Sequence, residues 1–321
     1  MNCNLNVFIK HKEMACPLLS ICIPTYNRKE FIDVALSHLE GALKNVSFPI
    51  EVIISDNHSE DGTKEVIEDH IASGLFCRYI RNSQNIGPDA NFVQCFNEAK
   101  GKYIWIIGDD DYLCPNSLLE IGSFLQTGDY GLVHIEFSKK GENIFSVHKY
   151  DDYRMMLSDV NIMITFLSGN IINSNVVKDV NPEKYLNSFM IQVPYFIEAA
   201  LLGKTNVIIY SELLDCGANS ENNGGYNFFR IFMDNYLGIW KKYVNESVIL
   251  RKDYEIIKRA TFEKFYFDYV YNSFRGRQSL ALDTRGSLRT TIKYFWYNPY
   301  VYKMLGKRYL KAFKAKMNSH K

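Results

Sequence analysis

Three consecutive carboxylates, Asp109, Asp110 and Asp111, follow the apolar run Tyr103-Ile104-Trp105-Ile106-Ile107-Gly108. A buried strand ending this way delivers dense negative charge to one edge of a sheet. Like charges packed so closely raise one another's pKa unless a divalent cation or an exposed turn relieves them. Mg²⁺ and Mn²⁺ suit such a cluster, because they accept one or two carboxylates together with the oxygens of a bound phosphate. An isolated acidic triplet also fits a solvated turn, so the neighbouring elements decide between the two.

Those elements alternate. Leu18 to Pro24 is a short apolar run stopped by a proline that cannot donate to a central ladder, and Thr25-Tyr26-Asn27-Arg28 is a strand-to-helix turn. Ile50 to Ser55 is a second strand, ending in the polar loop Asp56-Asn57-His58-Ser59-Glu60-Asp61-Gly62-Thr63, which is rich in turn and capping residues. A third strand is expected around Phe76 to Ile80. Helical spacing of apolar residues covers Glu30 to Leu43, Lys64 to Ala72 and Pro88 to Ala99, where Gly87 and Pro88 open the helix and Asp89 complements its dipole. Strand–helix alternation predicts an α/β fold with a mostly parallel open sheet and helices on both faces. Ligands in such sheets sit beyond the carboxyl ends of the strands, where the loops at Pro24 to Arg28, Asp56 to Thr63 and Asp109 to Asp111 converge. Neither a dinucleotide fingerprint nor a phosphate loop is present, so a phosphate held here needs a metal rather than a glycine nest.

The segments Ser20 to Arg28, Ser55 to Thr63, Asn85-Ile86-Gly87 and Gly108 to Asp111, taken in order, resemble the successive motifs of family 2 glycosyltransferases. The resemblance covers roughly residues 17 to 135. It implies a GT-A fold and a nucleotide-sugar donor. Pro24, Thr25, Tyr26, Asn27 and Arg28 would line the nucleoside pocket, with Tyr26 offering a face to the base or simply packing under the turn, and Arg28 a cation to the diphosphate or a surface residue at the helix start. Asp56 would accept a hydrogen bond from base or ribose. Asp109 and Asp111 correspond to the Asp-x-Asp motif, one facing the ribose and the other holding Mn²⁺ or Mg²⁺ across the phosphates, with Asp110 beside the donor sugar. Asn85 and Asn91 face the sugar or diphosphate, or serve only a turn and cap.

The implied reaction is displacement at the anomeric carbon by an acceptor hydroxyl, with inversion as the default outcome and a hexose or deoxyhexose as the group moved. It needs an Asp or Glu as general base. Many relatives carry a Glu-Asp pair at the start of a later helix, here expected over Met190 to Gly203. Counting back from Gly203 puts Ile191 and Gln192 at that place, and a glutamine is not a base. Glu198 is the nearest carboxylate, one and a half turns further on and so on a different side. It is a candidate base or a structural glutamate.

With 321 residues, 47% of them hydrophobic, the chain can bury a full core, and a formal charge of +1 gives no steering toward nucleic acid. Its seven scattered cysteines fit neither a disulfide framework nor a zinc site and read as reduced thiols of the cytoplasm. The expected divisions are an N-terminal extension over 1–16, a catalytic GT-A domain over 17–215, and a helical C-terminal region over 216–321. Within the last, segments 226–245 and 253–275 are aromatic and helical in rhythm, and the loop from Gly217 to Gly225 is a linker or a lid over bound donor. After Asp283 there are ten Lys or Arg residues and no acid. Tyr302, Leu305, Tyr309 and Phe313 could form one helical stripe, with Lys303, Lys307, Lys311 and Lys314 beside it. That pattern suits an anionic membrane surface, or a basic helix docked on the protein; no nucleic-acid module accompanies it. No apolar run approaches the ~18–20 residues needed to cross a bilayer. The expected protein is cytoplasmic and peripheral at the inner face of the membrane, moving sugar to a lipid-linked glycan in the manner of O-antigen and capsule enzymes. A noncatalytic nucleotide-sugar-binding protein and a nucleotidyltransferase are the alternatives.

Overall fold

A computed structural model describes residues 17–44, 46–136, 145–216, 227–274 and 283–318, without the side chains of 273–274 and 311–318. The expected N-terminal extension, the 217–225 loop, and Lys311, Phe313 and Lys314 as side chains lie outside the described residues.

The strands are β1 (Leu19–Thr25), β2 (Ile50–Asp56), β3 (Arg78–Arg81), β4 (Tyr103–Ile106), β5 (Asp111–Leu113), β6 (Leu132–Glu136), β7 (Ser146–Tyr150), β8 (Asn170–Asn173), β9 (Asn206–Tyr210) and β10 (Leu214–Cys216). Eight form one sheet in the order β3-β2-β1-β4-β8-β6-β9-β7, while β5 and β10 pair antiparallel beside it. The β3-β2-β1-β4 half is parallel, β8 is antiparallel to both its neighbours, and β7 is antiparallel to β9. Inserting one reversed strand between β4 and β6 keeps those two pointing the same way. Their carboxyl ends therefore share an edge with those of β1 and β2.

β1 runs one residue past the expected stop at Pro24. Cys22 accepts a hydrogen bond from the Ile107 N–H, so residues of its parity face β4. The β1–β4 ladder has ended by Cys22, and the N–H that Pro24 lacks would point where no ladder partner waits. On its other side β1 stays paired with β2 through Thr25 opposite Asp56. β3 also lies later than expected, which leaves Phe76 outside it and exposed.

The helices are α1 (Lys29–Leu43), α2 (Thr63–Ala72), α3 (Pro88–Glu98), α4 (Ser117–Leu125), α5 (Tyr153–Val160), α6 (Gln192–Leu202), α7 (Tyr236–Asn245), α8 (Arg251–Thr261), α9 (Phe267–Phe274), α10 (Ser287–Phe295) and α11 (Pro299–Asn318). Alternation along β1 sends Leu19, Ile21 and Ile23 to a core with Ile32, Leu36 and Leu39 of α1, Ile67 of α2 and Leu118 and Ile121 of α4. Cys22 points the other way, into a second core with Phe96 of α3, Leu157 of α5 and Phe196 of α6. That second core continues without a break through Trp240, Phe262 and Phe295 of the C-terminal helices. α6 approaches the start of β6 closely: a Cβ on Gly131 would stand 2.3 Å from the Ala199 carbonyl oxygen and 2.5 Å from Gly203 Cα. Only glycine permits this contact, which seats α6 on the sheet. Among the described residues, no helix is long and apolar enough to cross a membrane.

Candidate functional site

The turn after β1 is stitched to the loop after β2. Asn27 adopts φ 52°, a left-handed conformation that asparagine tolerates, and its N–H donates to Ser59 Oγ at 2.8 Å. In return, the Glu60 N–H donates to Asn27 Oδ1 at 2.8 Å. The N–H groups of Arg28 and Lys29 donate to Thr63 Oγ1 at 3.2 Å and Asp61 Oδ2 at 3.0 Å. Four bonds, three donated by the turn and one returned to it, thus fix the backbone from which the Arg28 side chain pivots, and Tyr26 stands exposed in that turn.

Asp56 is fully buried, and both its oxygens are spoken for. Oδ1 accepts from the Ser59 N–H at 2.8 Å, while Oδ2 accepts from the Tyr79 hydroxyl at 2.7 Å and faces Arg81 Nε at 3.4 Å. In the described structure Asp56 thus ties the loop after β2 to β3. Four asparagines tie that loop to the next. Asn57 Nδ2 donates to Asn85 Oδ1 at 2.8 Å, and Asn82 Nδ2 donates to Asn57 Oδ1 at 3.2 Å and Asn91 Oδ1 at 3.3 Å. Asn91 also closes a pair with Ser55, accepting from its hydroxyl at 2.7 Å and donating to its carbonyl at 3.0 Å. Asn85 accepts from the Gly87 N–H at 2.8 Å. The turn-and-cap reading of Asn85 and Asn91 matches these contacts.

At the carboxyl end of β4 the acidic triplet folds around a cation of its own. Arg28 Nε lies 2.9 Å from Asp109 Oδ1, and its terminal nitrogen 2.7 Å from Asp110 Oδ2, with the guanidinium 4.1 Å above the Phe31 ring. Thr25 Oγ1 donates to Asp109 Oδ2 at 2.7 Å. Burial pushes the Asp109 carboxyl up to about 7, against the pull of Arg28 and Thr25, while Asp110 and Asp111 push it further up. Burial also raises Asp111, although Ser168 Oγ donates to its Oδ2 at 2.5 Å and the Cys216 thiol, opposite it in the β5–β10 ladder, donates as well. Ser168 in turn accepts the Gly108 N–H at 2.8 Å, and its carbonyl accepts Trp105 Nε1 at 2.7 Å.

A divalent cation has a place here. A Cβ on Gly108 would meet Asp111 Oδ2 at 3.0 Å and Asp110 Oδ1 at 3.1 Å, tighter than ordinary contact, so two carboxylate oxygens border one small space beside this glycine. Hard oxygen donors of this kind suit Mg²⁺ or Mn²⁺. Among the described residues no three His, Cys, Asp or Glu side chains converge as a preformed cage. Two carboxylates completed by phosphate oxygens do not need one.

Glu198 is not brought to this edge. It is half-buried on α6 beside Tyr243, where burial, Asp179 and Glu246 raise its pKa. Gln192 opens α6 as the residue count expected. Its Nε2 donates to the Thr165 carbonyl at 2.8 Å, and its Oε1 is buried without a protein partner. The turn before α6 contains Asn187 and Phe189 at φ 64° and 56°, and the Phe189 N–H donates to Asp89 Oδ2 at 3.1 Å. Ser168 and Cys216 escaped the sequence reading, as did the contact of Asp89 with the turn before α6. Each reaches its partner across 57 residues or more, and no local spacing announces such a contact.

A family model described as glycosyl transferase family 2 matches residues 20–187, more than half of the chain. Abequosyltransferase RfbV of Salmonella typhimurium is 43% identical over 111 residues, which are 34% of this chain and 33% of that protein. This match therefore spans about a third of that relative's length. The GalNAc(5)-diNAcBac-PP-undecaprenol beta-1,3-glucosyltransferase of Campylobacter jejuni is 26% identical over 261 residues, covering 74% of this chain and 78% of that one. Among solved structures, S. aureus TarS 1-349 superposes with a TM-score of 0.59 at 16% identity, over 79% of this chain and 74% of its own. The mannosyltransferase PcManGT of Pyrobaculum calidifontis, in complex with GDP-Man and Mn²⁺, gives 0.55 at 15% identity over 94% and 87%. These likenesses establish a GT-A fold.

Proposed function

The chain belongs to glycosyl transferase family 2, and from that premise we propose that it moves a sugar from a nucleotide-sugar donor to a hydroxyl of a lipid-linked glycan during surface-polysaccharide synthesis. The observation that carries the reading is the edge where the β1, β2 and β4 loops meet, with Arg28 and the Asp109–Asp111 triplet facing each other across it. The Campylobacter relative, named for a glycan on undecaprenol, supports the acceptor class, and the GDP-Man held by the Pyrobaculum mannosyltransferase supports the donor class.

Residues 17–215 form the donor-binding part of this reading, and 216–321 the helical part beside it. Pro24 to Asn27 shape the nucleoside side, with Tyr26 as the stacking face, and Asp56 acts by holding that turn through Ser59, Tyr79 and Arg81. Asp111 would hold Mn²⁺ or Mg²⁺ with Asp110 in the present arrangement, or with Asp109 once Arg28 turns away. When bound, the metal neutralises charge that develops on the departing diphosphate. Arg28 supplies a second positive charge to the same oxygens. Asp110, the triplet member with the most exposed side chain that Arg28 contacts, lies toward the donor sugar. Gln192 Oε1 is an acceptor that an incoming hydroxyl can satisfy. The basic stretch after Asp283 would keep the enzyme at the inner face of the cytoplasmic membrane.

Gln192 at the expected base position and Glu198 turned toward Tyr243 favour a second reading, a nucleotide-sugar-binding protein without turnover. A screen of UDP-, dTDP-, GDP- and CDP-sugars for hydrolysis, with Mn²⁺ or EDTA, separates the two. Metal-dependent turnover of one nucleotide class, lost in a folded Asp111→Asn variant, is expected. Thermal stabilisation by a nucleoside diphosphate with no turnover would favour the binding protein, and near-parent turnover by Asp111→Asn would remove the metal role.

A further inference from the structure

Helix α10 is built inside out. Its buried face carries Ser287, Thr290 and Thr291 beside Tyr294 and Phe295, and Thr291 Oγ1 has no partner there. Leu288, Ile292 and Trp296, four residues apart and so aligned on one side, are 57%, 46% and 68% exposed. A helix that answered only to the protein core would exchange these sets, because apolar side chains gain by burial and hydroxyls lose by it. The outward stripe therefore needs an apolar medium of its own.

We propose that this face is a docking surface for an anionic lipid bilayer, with Leu288, Ile292 and Trp296 entering the interface and Arg289 and Lys293 alongside them meeting lipid phosphates. The charge pattern selects this occupant. Arg289 and Lys293 follow the stripe around the helix, exposed Lys303 and Lys307 continue on α11, and no acid occurs after Asp283. The acids that do reach this area, Asp234 paired with Lys293, Asp268 paired with Arg308 and Glu255 accepting from the Tyr297 hydroxyl, belong to other helices. A second copy of the chain is a poorer fit, since a two-fold contact sets each basic flank against its own image. A basic helix with an aromatic and aliphatic stripe is the pattern that lies in the plane of a membrane interface.

The apolar surface thus differs from the stripe expected on the last helix. Leu305 of α11 is buried, and the Tyr309 ring packs against Tyr271 at 5.1 Å, so that side of α11 holds the helix to the protein. Exposed Tyr297 and Tyr302 extend the α10 face at its end. The proposal deepens the reading of a lipid-linked acceptor and rests on it for its purpose, because such an acceptor is met only at a bilayer.

The chain carries its own reporter. Of its three tryptophans, Trp105 and Trp240 are fully buried, so Trp296 alone can answer to added vesicles. Titrating the full chain with phosphatidylcholine vesicles containing phosphatidylglycerol should blue-shift the emission, and brominated lipid should quench it. Pure phosphatidylcholine should do so much more weakly. The Leu288→Ser/Ile292→Ser variant should bind the anionic vesicles about tenfold or more weakly, from the lost apolar burial, at unchanged melting temperature and donor hydrolysis. No blue shift with anionic vesicles, parent-like binding by the double variant, or Trp296 already shielded in a dimer by sedimentation would overturn the docking face. The vesicle assay uses neither donor nor acceptor. Vesicle failure with intact hydrolysis therefore overturns the docking face alone, whereas binding without hydrolysis supports it and overturns only the transferase reading.

Discussion

Replacing Arg28 by glutamine should weaken the metal-free fold and strengthen metal binding at once. The guanidinium meets Asp109 at 2.9 Å and Asp110 at 2.7 Å, with side-chain exposures of 27%, 8% and 31%. Two unit charges about 4 Å apart attract by roughly 4 kcal/mol at an effective dielectric near 20, but desolvation offsets much of that. Nε faces Asp109 as an ion pair without hydrogen-bond geometry, and leaving that buried carboxyl without its counter-charge costs about 1–3 kcal/mol. Asp110 is partly solvated and adds little, so the expected loss in EDTA is about 2 kcal/mol, or ~3 °C in melting temperature for a chain of 321 residues. Metal binding should move the other way. In the parent, a cation approaching Asp109 must displace Arg28; in the variant three carboxylates await it with no internal counter-charge. Electron paramagnetic resonance titration of Mn²⁺ without nucleotide should show about tenfold tighter binding by Arg28→Gln, equivalent to ~1.4 kcal/mol. Affinity for nucleoside diphosphates should fall, because the cation freed by the metal is then missing from the phosphates. Arg28→Lys keeps the charge without the planar fork and should lie between parent and glutamine variant. Equal melting temperatures in EDTA together with equal Mn²⁺ affinities would refute the idea that Arg28 holds the place of the metal.

Two further outcomes follow from the same site. Asp109, ringed by Arg28, Thr25, Asp110 and Asp111, has a native-state pKa of about 7 against ~3.9 when unfolded, so between those values the native state binds more protons than the unfolded one. Its contribution is full below about pH 4 and is lost as pH rises through 7, so metal-free stability should decline across that window while Mn²⁺ affinity climbs; urea melts in EDTA from pH 5 to 8, referenced to Asp109→Asn, should expose the slope, and an Asp109→Asn curve parallel to the parent would sink it. Asp56→Ala should cost about 1–3 kcal/mol in urea unfolding, since it strands the Tyr79 hydroxyl and the Ser59 N–H, while exposed Arg81 keeps its bond to the Ser59 carbonyl. A rise in donor KM with stability untouched would instead place Asp56 against the nucleoside.

What the sequence could disclose about this molecule divides along the range of the forces involved. β1, β2, α1, α2 and α3 fall within a residue or two of their expected bounds, because apolar alternation, the Gly87-Pro88 start and the polar loops are local signals that tertiary packing reinforces. The meeting of three loops at one edge followed from strand direction alone. The counter-ion of the triplet did not, since Arg28 and Asp110 stand 82 residues apart and either could equally have faced solvent. Nor did Ser168, whose place against Asp111 depends on β8 running backwards between β4 and β6. Glu198 illustrates the converse: helix rotation decides where a carboxylate goes, and because Val193, Phe196 and Ile197 commit neighbouring directions of α6 to the core it comes to lie beside Tyr243. α10 shows the same limit in its strongest form. Periodicity establishes that Leu288, Ile292 and Trp296 share a face, but a 3.6-residue pattern is silent on which face turns inward when the opposite one is lined by threonines and aromatics. Burial of Thr290 and Thr291 settles the direction, and once it is settled the exposed stripe ceases to be a core signal and becomes a surface that must be matched by something outside the chain.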